Sequence, residues 1–229
     1  MTASWLVLPS PLLGPVGYQP LADALRGRGY DASVARCREP ISPDLLVAEW
    51  GEAARSADVL VAHSNAGYLA ATVAEYAGVE ALLFMDAALP PATGPTRLAP
   101  PGLLATLADL AADDGRLPPW TRWWPAEEMA KLLPAPWFER VDAEAPRLSL
   151  DYFESEVTPP SGWSRGARAY LAFGTTYAAE VAFAREAGWP VTELAGHHLW
   201  HLARSTEVAT ALEALAARLP GCPAGGCDG

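Results

Sequence analysis

The chain has 229 residues, 51% of them hydrophobic and 19% charged, a balance that excludes intrinsic disorder and suffices for one sizeable core. Its formal net charge of -11 excludes sequence-independent nucleic-acid binding, which needs a basic face. No apolar stretch approaches the roughly 18 residues of a membrane helix.

Met1-Thr2-Ala3-Ser4 lacks the basic stretch of a signal peptide, and the apolar run after it spans only Trp5 to Leu8. Cys37, Cys222 and Cys227 are an odd set with two members in a Gly/Pro-rich tail, which is no disulfide framework; no second Cys/His pair accompanies them, so no zinc site is expected. These features predict a soluble, cytoplasmic protein that binds neither nucleic acid nor membrane.

Trp5-Leu6-Val7-Leu8 reads as a buried strand stopped by Pro9-Ser10-Pro11. Tyr18 to Gly29 carries Leu21, Ala22, Ala24 and Leu25 at helical spacing. Tyr30 to Ala35 alternates as a strand. Pro43 to Ala57 predicts a helix with Ser42 as N-cap and Leu45, Leu46 and Trp50 on one face. Asp58 to Ala62 is the next strand, Asn65 to Tyr76 a helix, and Val79 to Met85 a strand ending at Asp86. Continuous apolar strands between amphipathic helices predict an α/β protein with a doubly wound, mostly parallel sheet.

From Ala87 to about Ala167 the pattern breaks into Pro- and Trp-rich sequence, with short helices expected at Gly102 to Ala112, Ala126 to Leu132 and Pro136 to Ala143. The alternation resumes with a strand at Arg168 to Phe173, a helix at Tyr177 to Ala187 and a strand at Pro190 to Leu194. A last helix spans Thr206 to Leu219 with Ser205 as N-cap. The division is a core over 1–86 and 168–219, an inserted helical lid over 87–167, and a flexible tail over 220–229.

In an open parallel sheet, ligands bind beyond the carboxyl ends of the strands. There the chain places the Pro9 to Gly17 loop, Ser64, Asp86, Gly174-Thr175-Thr176-Tyr177 and Gly196-His197-His198. A serine, an acid and a histidine thus follow three strands in the order Ser, Asp, His. Ser64 sits at a strand-to-helix junction, where the usual signature is G-x-S-x-G; here both glycines are alanine, in Ala62-His63-Ser64-Asn65-Ala66.

On LVLPSPLLGP after the first strand, AHSNAG at the junction, LLFMDAALPP after the following strand and AGHHLWHLARSTEVATAL near the end, the chain resembles the α/β-hydrolase family in its compact, lid-bearing bacterial form. The resemblance covers nearly the whole chain and implies a serine hydrolase with Ser64 as nucleophile. Family spacing back from the final helix picks His198 as the base, with His197 as the alternative; His201 is read as a lid contact or core edge. The family's acid after the penultimate strand is missing, since Tyr177 stands there. Asp86 is then the acid, as in members that supply it after the strand following the nucleophile, with Glu180 as the alternative.

The oxyanion hole would use the Asn65 N–H and one from the first loop. Pro11 has no N–H, so Leu12 or Leu13 must donate. Ser10, Leu13, Trp120, Trp124 and Tyr177 are the expected substrate contacts, and the lid carries an aromatic set of Trp120, Trp123, Trp124, Trp137, Tyr152, Phe153 and Trp163. Two or three of that aromatic set are expected to face the substrate.

The expected reaction is cleavage of an ester, lactone or thioester of an apolar small molecule, with no metal or organic cofactor, by a monomer or homodimer. Two other readings are open. One is a non-hydrolytic enzyme of the same fold catalysing elimination, cyclisation or acyl transfer in a biosynthetic pathway. The other is a catalytically dead ligand-binding protein, which the missing acid supports.

Overall fold

The computed structural model describes residues 2–133, 135 and 137–221. Cys222, Cys227, most of the expected tail and the helix start expected at Pro136 lie outside the described residues. The first half alternates: β1 (Ser4–Leu8), a 3-10 turn over Pro15–Tyr18, α1 (Gln19–Arg26), β2 (Asp31–Val34), α2 (Pro43–Ala54), β3 (Val59–Ser64), α3 (Gly67–Ala77) and β4 (Ala81–Ala87). The insertion then contributes β5 (Thr96–Arg97), α4 (Pro101–Leu110), α5 (Ala126–Leu132), α6 (Trp137–Glu144), α7 (Leu150–Glu154) and β6 (Glu156–Val157). The alternation resumes with β7 (Arg168–Phe173), α8 (Ala178–Glu186), β8 (Val191–Leu194), the short α9 (Trp200–Ala203) and α10 (Ser205–Ala216).

Six strands pair in parallel in the order β2-β1-β3-β4-β7-β8, the doubly wound sheet that the sequence predicts. The chain moves one way from β1 to β2 and the other way from β3 onward. Right-handed crossovers therefore put α1 on one face and α2, α3 and α8 on the other. In agreement, α1 packs on α10, and α2 packs on α3. With both faces covered, the central strands read as unbroken apolar runs: Val59 to Ala62, Leu82 to Met85 and Ala169 to Phe173 are all buried.

Local signals place several ends. Ser42 Oγ accepts the Leu45 N–H at 3.3 Å and starts α2, with Leu46 and Trp50 buried beneath it. Leu45, expected on the same face, is instead 51% exposed. Ser205 does not cap α10 but is its first residue; Arg204 holds the cap position without a side-chain bond. The reason is α9, which ends at Ala203 and leaves Arg204 as the single joint between two helices. At the neck of the insertion, β5 and β6 pair antiparallel, Thr96 with Val157 and Arg97 with Glu156. This ladder was not predicted, because two-residue strands carry no periodicity. Among the described residues no helix is long and apolar enough to cross a membrane.

Candidate active site

β3 passes into α3 through Ser64-Asn65-Ala66, and Ser64 takes φ 57, a left-handed conformation that side chains rarely adopt. Two hydrogen bonds hold the turn: the Ala66 N–H donates to the His63 carbonyl at 3.1 Å, and the Ala88 N–H to the Ser64 carbonyl at 3.0 Å. The alanines at 62 and 66 fit because the tightest approach of helix and neighbouring strand falls one residue later. A Cβ on Gly67 would stand 2.0 Å from the Ala88 carbonyl oxygen. Gly67 thus supplies the room that a glycine at position 66 normally provides.

Asp86 is placed by a second local irregularity. Register against β3 pairs His63 with Met85 and Ser64 with Ala87, so Asp86 is bulged out of the ladder, at φ 42. The Tyr170 hydroxyl braces the bulge, accepting the Ala87 N–H at 3.0 Å and donating to the Ala87 carbonyl at 2.6 Å. The third residue, His198, lies in the loop after β8. That loop is closed by Gly196, where a Cβ would meet the Trp200 ring at 2.5 Å.

These three side chains form one line. Ser64 Oγ lies 3.0 Å from His198 Nε2, and His198 Nδ1 lies 2.6 Å from Asp86 Oδ2. The other Asp86 oxygen accepts the Phe173 N–H at 2.8 Å, and the carboxyl is fully buried. A carboxylate can only accept here, so Nδ1 carries the proton and Nε2 offers its lone pair to the Ser64 hydroxyl. Glu180 has no hydrogen bond to either histidine; burial, and then the charge of Asp86, raise its pKa. His197 turns away, its Nδ1 accepting the Leu199 N–H at 3.3 Å and its ring edge-on to Trp200.

The line opens into a cavity of about 720 Å³ between the sheet and the insertion. Leu12, Leu103, Trp120, Trp123, Trp124, Met129, Leu132 and Phe153 make an apolar wall, Glu128 and Lys131 of α5 also line the cavity, and Tyr177 and His197 lie on the sheet side. Four of the aromatic residues flagged in the insertion, Trp120, Trp123, Trp124 and Phe153, therefore line it. The others are held elsewhere. Trp163 packs on Phe84, Phe183 and Trp189 and donates to the Pro91 carbonyl. Trp137 lies under the Arg140 guanidinium.

Tyr152 donates to Asn65 Oδ1 at 2.7 Å, and Asn65 Nδ2 donates to the Leu98 carbonyl at 2.6 Å. The Asn65 side chain thus ties the turn to both ends of the insertion, a role with no signal in the sequence. Tyr177 packs against His198 with ring centroids 5.7 Å apart, and burial holds its phenol far above the ordinary range, opposed by the neighbouring Ser64 hydroxyl.

Two expected substrate contacts are corrected. Ser10 and Leu13 are buried and do not line the cavity. The Leu13 N–H is spent on the Ser10 carbonyl at 3.0 Å, because Pro9-Ser10-Pro11 folds the loop into a tight turn. The Leu12 N–H donates to Ser10 Oγ at a long 3.4 Å, and Leu12 itself lines the cavity.

No family model matches the sequence, and no curated protein matches it. Solved structures do match. An extracellular α/β-hydrolase from a Paenibacillus species superposes with a TM-score of 0.75 at 13% identity, covering 93% of this chain and 98% of that one. The α/β-hydrolase fold is what these chains share. The pyrethroid hydrolase PytH follows with a TM-score of 0.67 at 16% identity, covering 96% and 99%. An enol-lactonase from Burkholderia xenovorans gives 0.62 at 16%, covering 95% and 93%.

Beneath the Ser-His-Asp line, this α/β-hydrolase sheet carries a layer that was only half seen in the sequence. His201, expected at the lid or core edge, is 1% exposed and stacks on Tyr18 at 4.7 Å, because α9 folds back under the His198 loop. His63 is fully buried between His198 at 4.6 Å and His201 at 4.5 Å. The only sequence signal for it was its place before Ser64. Cys37 is not a competing nucleophile, since burial, and then the charge of Glu49, push its thiol up to about 12. Among the described residues no group of three or more His, Cys, Asp or Glu could hold a metal ion.

Both buried histidines are neutral. Burial is the first cause in each case, lowering His201 to about 3 and His63 well below the ordinary range. The unfolded chain binds protons on these rings below about pH 6.5, whereas the folded chain does not. Their stability contribution is therefore fully present above about pH 6.5 and is lost as pH falls towards 3, at on the order of 1.4 kcal/mol per pH unit for each ring. The urea midpoint is expected to fall steadily across this window, and less steeply in His201→Phe. Equal slopes in the two proteins would contradict a neutral buried His201.

Proposed function

We propose that the protein is a serine hydrolase that cleaves a carboxylic ester, lactone or thioester of an apolar small molecule. The observation that carries this reading is the line Ser64–His198–Asp86, with spacings of 3.0 and 2.6 Å, opening into the aromatic-walled cavity. Ser64 attacks the substrate carbonyl while His198 Nε2 takes its proton. Asp86 holds the imidazole in the required tautomer and stabilises the imidazolium. The backbone N–H groups of Asn65 and Leu12 receive the developing oxyanion. His198 returns the proton to the leaving alcohol or thiol, and water then cleaves the acyl-enzyme by the reverse sequence.

The insertion over 87–167 acts as a lid that excludes water and supplies the apolar wall. Trp120, Trp123, Trp124 and Phe153 favour an acyl or ring moiety over a charged one. The named activities of the Paenibacillus protein, PytH and the enol-lactonase support hydrolysis at a carbonyl. The ground for a dead binding protein was the missing acid after the penultimate strand. The hydrogen bond between His198 and Asp86 supports an acid supplied from β4 instead.

Intact mass after incubation with a fluorophosphonate tests the reading. One adduct is expected on the wild type and none on Ser64→Ala or His198→Ala. A wild type that stays unmodified, while also failing to turn over small activated esters and thioesters, would reject it.

A further inference from the structure

The loop that carries Leu12 and the loop that carries His198 belong to different strand ends, yet both must hold their positions for one reaction. Between them runs an unbroken chain of buried polar contacts. The Ser10 N–H donates to the Tyr18 oxygen at 2.9 Å, the Tyr18 hydroxyl lies 2.8 Å from His63 Nδ1, and His63 Nε2 lies 3.0 Å from the His198 carbonyl oxygen.

The proton positions follow from the ends inward. A carbonyl can only accept, so His63 Nε2 carries the hydrogen. His63 Nδ1 then offers a lone pair, and the Tyr18 O–H donates to it while its oxygen accepts from Ser10. Every donor in the chain meets an acceptor, and none reaches the cavity: neither Tyr18 nor His63 lines it.

We infer that His63 and Tyr18 are positioning residues, forming a buried relay that locks the His198 loop to the Ser10–Leu12 loop so that base and oxyanion donor keep a fixed separation. The kinetic part of this inference rests on the hydrolase reading above. The groups facing His63 are Tyr18 from the 3-10 turn, His201 from α9 and His198 from its loop. None of them is an acid; the His198 carbonyl alone favours a charged His63, and burial outweighs it. A charge there would also place a cation 4.6 Å beneath the ring that must itself become an imidazolium. A neutral ring with its proton on Nε2 is the form that anchors the loop and leaves His198 free to take a proton.

Two measurements test this. The first needs no turnover: long-range proton–nitrogen NMR of the imidazoles in nitrogen-15-labelled protein. His63 is expected to keep its proton on Nε2 and not to titrate between about pH 5 and 8. The downfield Nδ1 proton of His198, bonded to Asp86, is expected to be sharp in the wild type and broadened in His63→Leu. A His63 that titrates in that range, carries its proton on Nδ1, or can be replaced by leucine without changing the His198 signal overturns the relay.

The second is kcat per phosphonylatable site with an activated ester. His63→Leu is expected to lose about 100-fold in kcat with little change in KM, as for a small misplacement of a catalytic group. His63→Gln, which keeps a donor towards the His198 carbonyl, is expected to recover about tenfold of that loss. Tyr18→Phe is expected to lower kcat on its own but to add nothing to His63→Leu, since both break one chain. Equal impairment in His63→Gln and His63→Leu, or independent effects of Tyr18→Phe and His63→Leu, would reduce His63 to packing. If His63→Leu does not fold, the milder His63→Gln and Tyr18→Phe decide through the same His198 signal. A wild type without turnover but with the expected NMR pattern would reject the hydrolase and keep the relay.

Discussion

Ser64→Ala is expected to lower kcat on a responsive ester by about 10⁴-fold or more, and His198→Ala by a similar factor. The double variant is expected to be no slower than either single one. The non-additivity follows from the geometry. On the proposed mechanism the Ser64 hydroxyl is a weak nucleophile until its proton can leave, and the acceptor for that proton is His198 Nε2, 3.0 Å away. Removing either member removes the same step. On the same mechanism, what remains is the binding of substrate in the cavity and the proposed oxyanion contacts of Asn65 and Leu12, which neither substitution touches.

Thermal unfolding of Ser64→Ala is expected to match or exceed that of the wild type, because residue 64 keeps its strained φ of 57 and loses only a hydroxyl. Initial rates with active-site-titrated wild type as reference, together with a melting curve, make the comparison. A residual rate within about tenfold of the wild type in Ser64→Ala would remove the covalent step. The chemistry would then be the non-hydrolytic kind.

Asp86→Asn is expected to cost about 10⁴-fold in kcat, whereas Glu180→Gln leaves it within about twofold. The asparagine can still accept the Phe173 N–H through its carbonyl oxygen, so the bulge and the loop persist. Its amide nitrogen then faces His198 Nδ1, where the carboxylate oxygen stands at 2.6 Å. A donor against a donor forces the imidazole into the other tautomer, with its proton on Nε2 pointing at Ser64. That ring cannot act as a base.

Glu180 is half-buried and has no bond to the ring, so removing its charge changes only a field term. A pair of kcat–pH profiles for the two variants separates the assignments. Full activity in Asp86→Asn with loss in Glu180→Gln would transfer the acid to α8.

The parallel sheet was legible because burial on both faces leaves a strong mark, short apolar runs bounded by turn residues, as at Val59 to Ala62 and Leu82 to Met85. The candidate site was legible because an open parallel sheet collects its strand ends at one edge, so a serine, an acid and two histidines following strands become neighbours whatever lies between them. The order of residues could also point to Asp86 once Tyr177 was found in the usual place of the acid.

Other features left little local trace. Gly67 reads in the sequence only as added room beside Ala62 and Ala66; the Ala88 carbonyl, 2.0 Å from where its Cβ would be, shows what needs that room. Ser10 and Leu13 seemed placed for substrate, but the turn made by their own loop buries both. His201 was expected at an edge because nothing near it in the chain shows that α9 folds back onto Tyr18.

By itself, then, the sequence determined the α/β class, the strand that carries Ser64 and a short set of candidate partners, because hydrophobic period and turn chemistry are local properties. The tertiary structure decided which acid meets which histidine, which side chains face the cavity, and how His63 and Tyr18 join two distant loops. Each of those depends on contacts between residues such as Tyr18 and His63, or Asp86 and His198, that lie 45 and 112 positions apart. Hydrogen-bond direction and close packing between such residues exist only once the sheet has brought them together.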